Sequence, residues 1–107
     1  MSDASKAVDF IYTTAPLFAK AQSEHDYLCE YRKTKKATLM LSSDESSAVM
    51  RETAAYADAE YLQVLEGIKV SGEQAITLKW QLEAAKLRVE IYRTESANNR
   101  NMDRAAQ

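Results

Sequence analysis

The sequence predicts an all-α protein, and three features of its 107 residues support this class. Good helix formers dominate the composition, and only one proline and two glycines interrupt them. A polar segment over 42–47 separates two stretches of helical pattern. The second stretch carries a long apolar heptad seam. We expect a long antiparallel helical hairpin or a three-helix arrangement, with a coiled-coil-like seam that makes the protein oligomeric.

The chain before the polar segment is predicted to form an arm followed by a helix. Residues 1–15 are assigned to a short helical or irregular N-terminal arm. Pro16 suits the first turn of a helix, because the N–H that proline lacks has no helical partner there. We therefore predict a long helix over about 17–41.

The segment 42–47 (Ser-Ser-Asp-Glu-Ser-Ser) is the clearest linker, and we expect the chain to reverse direction there. Ser42 and Glu45 have the spacing of a capping box, which predicts a helix start. Asp58 stands where a further helix could be capped. The helical domain spans 16–97, with helices at about 17–41, 46–57 and 59–97. The Asn-rich residues 98–107 are predicted to be a flexible polar tail.

The heptad seam runs from Met50 to Tyr92 in alternating steps of four and three. Every seam residue except Ser71 is apolar or aromatic. We expect the exposed part of the seam to pair with another copy, through Tyr61, Val64, Ile68, Ala75, Leu78, Leu82, Ala85, Val89 and Tyr92. A second apolar stripe beside the seam indicates more than one partner helix; it contains Leu65, Ile76, Trp80, Leu87 and Ile91.

Two glycines, Gly67 and Gly72, interrupt the seam region. Each glycine inside a helix costs about 1 kcal/mol relative to alanine, so a hairpin turn over 67–72 is one interpretation. A continuous or bent helix is favoured, because the heptad phase continues through the glycines without adjustment. Small residues at 67, 71 and 72 would then allow another helix to approach closely.

Composition excludes several classes of function. One cysteine makes no internal disulfide, and one cysteine with one histidine is too few for an ordinary zinc site. His25 and Cys29 lie one helical turn apart, and we interpret them as structural. No phosphate-binding loop or nucleophile motif is present, so we expect no enzyme activity, no cofactor and no small-molecule substrate. No signal peptide or membrane span is evident, which favours a cytoplasmic protein.

The candidate binding site combines aromatic and basic residues. Tyr27 and Tyr31 lie one turn apart, directly before a basic run formed by Arg32, Lys33, Lys35 and Lys36. Aromatic rings beside cations stack the bases and bind the phosphates of single-stranded nucleic acid. In the alternative interpretation, the tyrosines pack on the long helix and the cations face water.

Three runs of sequence carry a resemblance to a known group of proteins. They are Tyr-Leu-Cys-Glu-Tyr-Arg-Lys-Thr-Lys-Lys-Ala at 27–37, Arg-Glu-Thr-Ala-Ala-Tyr-Ala-Asp-Ala-Glu-Tyr at 51–61, and Leu-Lys-Trp-Gln-Leu-Glu-Ala-Ala at 78–85. Together they resemble short uncharacterised proteins of tailed bacteriophages and prophages, encoded near recombination genes. A more distant similarity is to phage recombination mediator proteins, which are helical, oligomeric and able to bind single-stranded DNA.

The resemblance implies a phage accessory protein of DNA replication or recombination in a bacterial host cell. Its expected partners are further copies of itself, with single-stranded DNA or a phage or host recombination protein. The alternative is a structural or adaptor protein that binds only protein partners through its coiled-coil face.

Overall fold

A computed structural model describes residues 2–106, and over this range the chain forms three α-helices and no strand. Helix α1 spans Asp3–Leu41, α2 spans Ala48–Ala57 and α3 spans Ala59–Ala106. The all-α prediction is confirmed. Met1 and Gln107, which belong to the predicted arm and tail, lie outside the described residues.

The predicted N-terminal arm is part of helix α1. At the start of this helix, the Ser2 hydroxyl accepts a hydrogen bond from the Ser5 N–H at 3.1 Å. Ala7 and Thr14 are buried on one face of the helix before Pro16, and half-buried Phe18 continues that face after it. Burial of a continuous face therefore extends the helix through the predicted arm.

Pro16 lies inside α1 and not in its first turn, contrary to the prediction. Proline has no N–H, so the Tyr12 carbonyl lacks its usual helical partner. Both residues are exposed, and water can therefore solvate that carbonyl. The proline is accommodated because it faces solvent.

Helix α3 also extends beyond its predicted end and continues to Ala106. The asparagines at 98, 99 and 101 each cost a helix only a fraction of a kcal/mol relative to alanine. No glycine or proline follows Gly72, so nothing in this part of the sequence ends the helix. The predicted polar tail is thus helical over its described residues.

The residue that caps the start of α2, after the linker, is not the predicted one. The Ser42 hydroxyl donates to the carbonyls of Thr38 and Leu39, so it closes α1. The N-cap of α2 is Ser47, whose hydroxyl accepts from the Met50 N–H at 3.1 Å. The Ser42–Glu45 spacing therefore does not mark a helix start.

Asp58 separates α2 from α3 and serves both helices. Its N–H donates to the Ala55 carbonyl at the end of α2. Its carboxylate Oδ1 accepts from the Glu60 N–H at 2.8 Å at the start of α3. The prediction that Asp58 caps a new helix is confirmed.

The described chain divides into two compact units. In the unit over 19–75, the second half of α1 packs against α2 and the first part of α3. The salt bridge from Lys35 to Glu60 and the hydrogen bond from His25 to the Ile68 carbonyl show that α1 and α3 run antiparallel there. Its buried residues are Ala21, Ala55, Tyr61, Ser71 and Ala75.

The other unit joins the two ends of the described chain: residues up to Phe18 and from Ile76 onward. Here α1 and α3 are again antiparallel. Ala7 and Phe10 line a shallow groove with Ala84 and Ala85, whereas the earlier Ser5 lies beside Tyr92. The buried residues of this unit are Ala7, Thr14, Leu82 and Ala85.

Helix α3 continues through both glycines, so the hairpin-turn interpretation is wrong. A Cβ atom added at Gly67 would lie 3.1 Å from Leu28 Cδ1 of α1. At Gly72 it would lie 3.1 Å from His25 Cε1. The small residues therefore allow α1 to approach closely, as the alternative role for these positions predicted.

Candidate functional site

The predicted tyrosine pair forms on helix α1. The rings of Tyr27 and Tyr31 are stacked, with centroids 5.9 Å apart and an interplanar angle of 11°. Tyr27 is 65% exposed and Tyr31 is half-buried. One tyrosine ring is therefore open to solvent while the other supports it.

The basic residues do not all lie beside this pair. Residues two positions apart on a helix are separated by about 200° around its axis. Lys33 therefore lies on nearly the opposite side of α1 from Tyr31, and Lys36 lies next to Lys33. Among the four cations, Lys35 alone lies one helical turn from Tyr31. The structure thus divides the predicted site between two sides of one helix.

Lys35 is held by an ion pair within the unit over 19–75. Its ammonium contacts the carboxylate of Glu60 at the start of α3, and its side chain is largely covered. The hydrogen bond to Glu60 raises the pKa of Lys35 above its ordinary value. Because this charge is already paired, Lys35 fastens α1 to α3.

The other three cations line a depression between α1, α2 and the start of α3. We call it the basic depression; it is lined by Arg32, Lys33, Lys36, Tyr56 and Tyr61. The rings of Tyr56 and Tyr61 meet edge to face, with centroids 5.4 Å apart. Tyr56 is 45% exposed, whereas Tyr61 is buried. The depression therefore offers cations beside an accessible aromatic ring.

Lys36 is positioned in the basic depression by two side chains of α2. Its Nζ donates to the Tyr56 hydroxyl at 2.7 Å and lies 3.1 Å from a carboxylate oxygen of Glu52. The hydrogen bonds to Tyr56 and Glu52 raise the pKa of Lys36. The lysine therefore stays charged at neutral pH in a fixed place.

Arg32 and Lys33 are the more available cations of the basic depression. Lys33 makes a 3.3 Å ion pair with Glu30 of its own helix, and both side chains are exposed. Exposed pairs of this kind are worth little and exchange readily with another anion. Over the described range Arg32 has no ion pair. These two residues are thus the cations best placed to meet a phosphate.

Tyr56 and Tyr61 are residues of the depression that sequence reasoning did not assign to the binding site. Both belong to the run at 51–61, and Tyr61 was assigned to the heptad seam. The signal that could have found them is Asp58, because a helix break between two tyrosines allows their rings to converge.

His25 packs against α3, and Cys29 lies beside it on α1. His25 Nδ1 lies 3.0 Å from the Ile68 carbonyl, and since a carbonyl only accepts, Nδ1 is the donor. The other ring nitrogen faces Cys29 Sγ at 3.7 Å. No group of three or more potential ligands that could hold a metal ion occurs within residues 2–106. Through the hydrogen bond to the Ile68 carbonyl, His25 connects α1 to α3.

The residues predicted as an oligomer interface face into their own chain. Four members are buried: Tyr61, Ala75, Leu82 and Ala85. Four others are half-buried: Val64, Ile68, Leu78 and Val89. Tyr92 is the one exposed member of this predicted set. The buried members of the seam are therefore covered within the chain itself.

Comparison of the chain with protein-family models, curated proteins and solved structures finds no match. Among the helices of residues 2–106, none combines the length and the apolar character needed to cross a membrane.

Proposed function

We propose that this protein is a non-enzymatic accessory protein of DNA replication or recombination that contacts single-stranded DNA. The basic depression supports this proposal. It places Arg32, Lys33 and Lys36 around the exposed ring of Tyr56. Cations for phosphates and a ring for base stacking are the two components of single-strand binding. The resemblance to phage proteins encoded near recombination genes favours DNA as the ligand.

The role of each residue follows from its availability. Arg32 and Lys33 contact backbone phosphates, because their charges are exposed. Lys36 is paired with Glu52, but that carboxylate is half exposed, and a surface pair of this kind is weak enough for a phosphate to compete for the lysine. Tyr56 stacks one base. Tyr27 and Tyr31 offer a separate aromatic surface on the other side of α1, where Lys35 is the neighbouring cation.

The overall charge of −2 makes this contact local and not a general affinity for DNA. Three phosphate contacts predict a slope of about −2 in a plot of log affinity against log salt for a single strand. Arg32→Ala combined with Lys33→Ala should lower affinity and bring the slope to about −0.7, since one contact remains. Fluorescence anisotropy of a labelled oligothymidine measures both quantities.

The matched control removes two lysines elsewhere in the same unit. Lys20→Ala with Lys69→Ala changes the net charge equally but leaves the basic depression intact. This control should keep the wild-type slope. Equal losses in both double variants, or no binding by the wild type at low salt, would disprove the proposal.

A tyrosine series separates the two sides of α1. Tyr56→Leu removes the stacking ring and should weaken binding about tenfold or more, whereas Tyr56→Phe should retain most of the stacking. Tyr27→Leu should have the smaller effect, because Tyr27 lies outside the basic depression. A larger effect of Tyr27→Leu would move the site to the other side of the helix.

The second candidate is a structural or adaptor protein that binds only protein, such as a recombination protein. The apolar side chains on the outside of α3 favour it, because Ile76, Trp80 and Leu87 are each at least 60% exposed. In that case wild-type protein fails to bind the oligothymidine at low salt, and substitutions on α3 alter association with protein.

A further inference from the structure

Helix α3 carries a second apolar face in the unit that joins the chain ends. We call it the outer stripe; it consists of Ile76, Trp80, Ala84, Leu87 and Ile91. All five residues are exposed, and the four large ones expose 60%, 65%, 62% and 56% of their surface. Their spacing of four, four, three and four residues keeps them on one side of the helix.

The outer stripe lies almost opposite the face that packs on α1. From the helical turn of about 100° per residue, the stripe points roughly 160° away from the face containing Leu78, Leu82 and Ala85. The chain's own helices cover that inward face, since Leu82 and Ala85 are buried. Within this unit α3 is therefore apolar on two opposite sides, and α1 covers one of them.

The order of side chains along the outer stripe is nearly symmetric about Ala84. Two large residues precede the small alanine and two large residues follow it. In an antiparallel pair of such stripes, Trp80 of one helix lies opposite Leu87 of the other, and Ile76 lies opposite Ile91. The two alanines then meet at the centre, where their small size allows the closest approach. A two-fold axis requires a self-complementary surface of this kind.

The core formed within the chain is thin, because the described residues include no side chain less than 2% exposed. The outer stripe offers four further large apolar side chains that a second copy would cover.

We propose that a second copy of the chain packs antiparallel on the outer stripe, about a two-fold axis beside Ala84. The interface is separate from the basic depression, and its existence does not depend on nucleic-acid binding.

The test measures the mass of the full chain in solution by sedimentation equilibrium. Wild-type protein should be a dimer of about 24 kDa, twice the 12.0 kDa of one chain. Trp80→Glu and Leu87→Glu, made separately, should each raise the dissociation constant at least about thirtyfold. Both residues are more than half exposed in the single chain, so helicity measured by circular dichroism should persist at high concentration.

The matched control is Gln81→Glu, which introduces the same charge on an exposed side of α3 next to the stripe. This variant should remain dimeric. A monomeric wild type at high micromolar concentration, a trimer or larger assembly, or a dimer that survives both stripe substitutions would overturn the proposal.

Cysteine cross-linking tests the antiparallel arrangement in a Cys29→Ser background. Ile76→Cys protein mixed with Ile91→Cys protein should form a disulfide-linked dimer on mild oxidation. Neither variant alone should cross-link, because equal positions lie roughly 20 Å apart in an antiparallel pair. Cross-linking of each variant with itself would indicate a parallel pair and contradict the antiparallel arrangement.

Discussion

At the scale of single residues, the two glycines of α3 differ in what they face. Gly67 faces a terminal methyl group of Leu28, which can move by rotation of its side chain. Gly72 faces the ring of His25, which is held by its hydrogen bond to the Ile68 carbonyl. The same substitution should therefore have opposite effects at the two positions.

Gly67→Ala should raise the free energy of unfolding by about 0.5 kcal/mol, because alanine favours the helix and Leu28 yields. Gly72→Ala should lower it by about 1 kcal/mol, since the fixed His25 ring must be displaced. Urea denaturation of the two variants measures both values. Equal stabilisation by the two alanines would show that the His25 ring moves as freely as the Leu28 methyl group.

The sequence predicted the small residues of this contact but not their partners. Gly67 and Gly72 stand out because glycine is rare in the chain, and Ser71 stands out because it is the one polar residue of the heptad seam. Their neighbours His25 and Leu28 lie about forty residues away, and nothing local connects the two segments. Likewise, Tyr31 and Lys33 are close in sequence, but helical geometry places them on different sides of α1.

At the scale of elements, a helix boundary could be predicted where the sequence offers a single capping residue. Asp58 was identified because a capping residue stands between two strong helical patterns. The start of α2 was misplaced because the linker contains several serines, any of which could cap a helix. The start of α1 and the end of α3 were missed. Buried side chains extend α1 through Pro16, and α3 continues through the asparagines because no glycine or proline follows Gly72.

Asp58→Ala should destabilise the protein by about 1 kcal/mol, since the Glu60 N–H then loses its acceptor. Asp58→Asn is the control, because an amide oxygen can still accept that hydrogen bond. Thermal unfolding followed by circular dichroism compares them. If the asparagine variant loses as much stability as the alanine variant, the charge of Asp58 matters more than its capping bond.

At the scale of the whole molecule, the heptad seam was correctly located but assigned to the wrong kind of contact for its buried members. A seam specifies that a helix face is covered and does not specify which helix covers it. Helix α1 carries its own buried positions at Ala7, Thr14 and Ala21, which repeat in steps of seven. The heptad repeats of the two helices therefore match each other within one chain.

The stability of the whole chain should fall in strongly alkaline solution. Lys35 and Lys36 have pKa values raised above the ordinary 10.5 by hydrogen bonds to Glu60, Tyr56 and Glu52. Because the folded chain holds these protons more tightly, the stabilisation is present below about pH 10.5 and is lost as the pH rises through the folded-state values.

Urea midpoints between about pH 8 and pH 11.5 test this expectation. The double variant Lys35→Met and Lys36→Met should have a lower midpoint at pH 8 and a smaller decline above pH 10 than the wild type. Lys20→Met with Lys69→Met is the control and should decline as the wild type does. Parallel declines in all three proteins would show that the two ion pairs do not cause the alkaline loss of stability.

The division of the chain into two units sets an order for folding during synthesis. Residues 19–75 are contiguous, so their helices can pair as soon as this segment has left the ribosome. Residues 3–18 pair with residues that follow Ile76, and they must wait for the last part of the chain. A nascent chain stalled with residues 19–75 outside the ribosome and the rest still in the exit tunnel would thus display a protease-resistant centre with an N-terminal segment that is still open to cleavage.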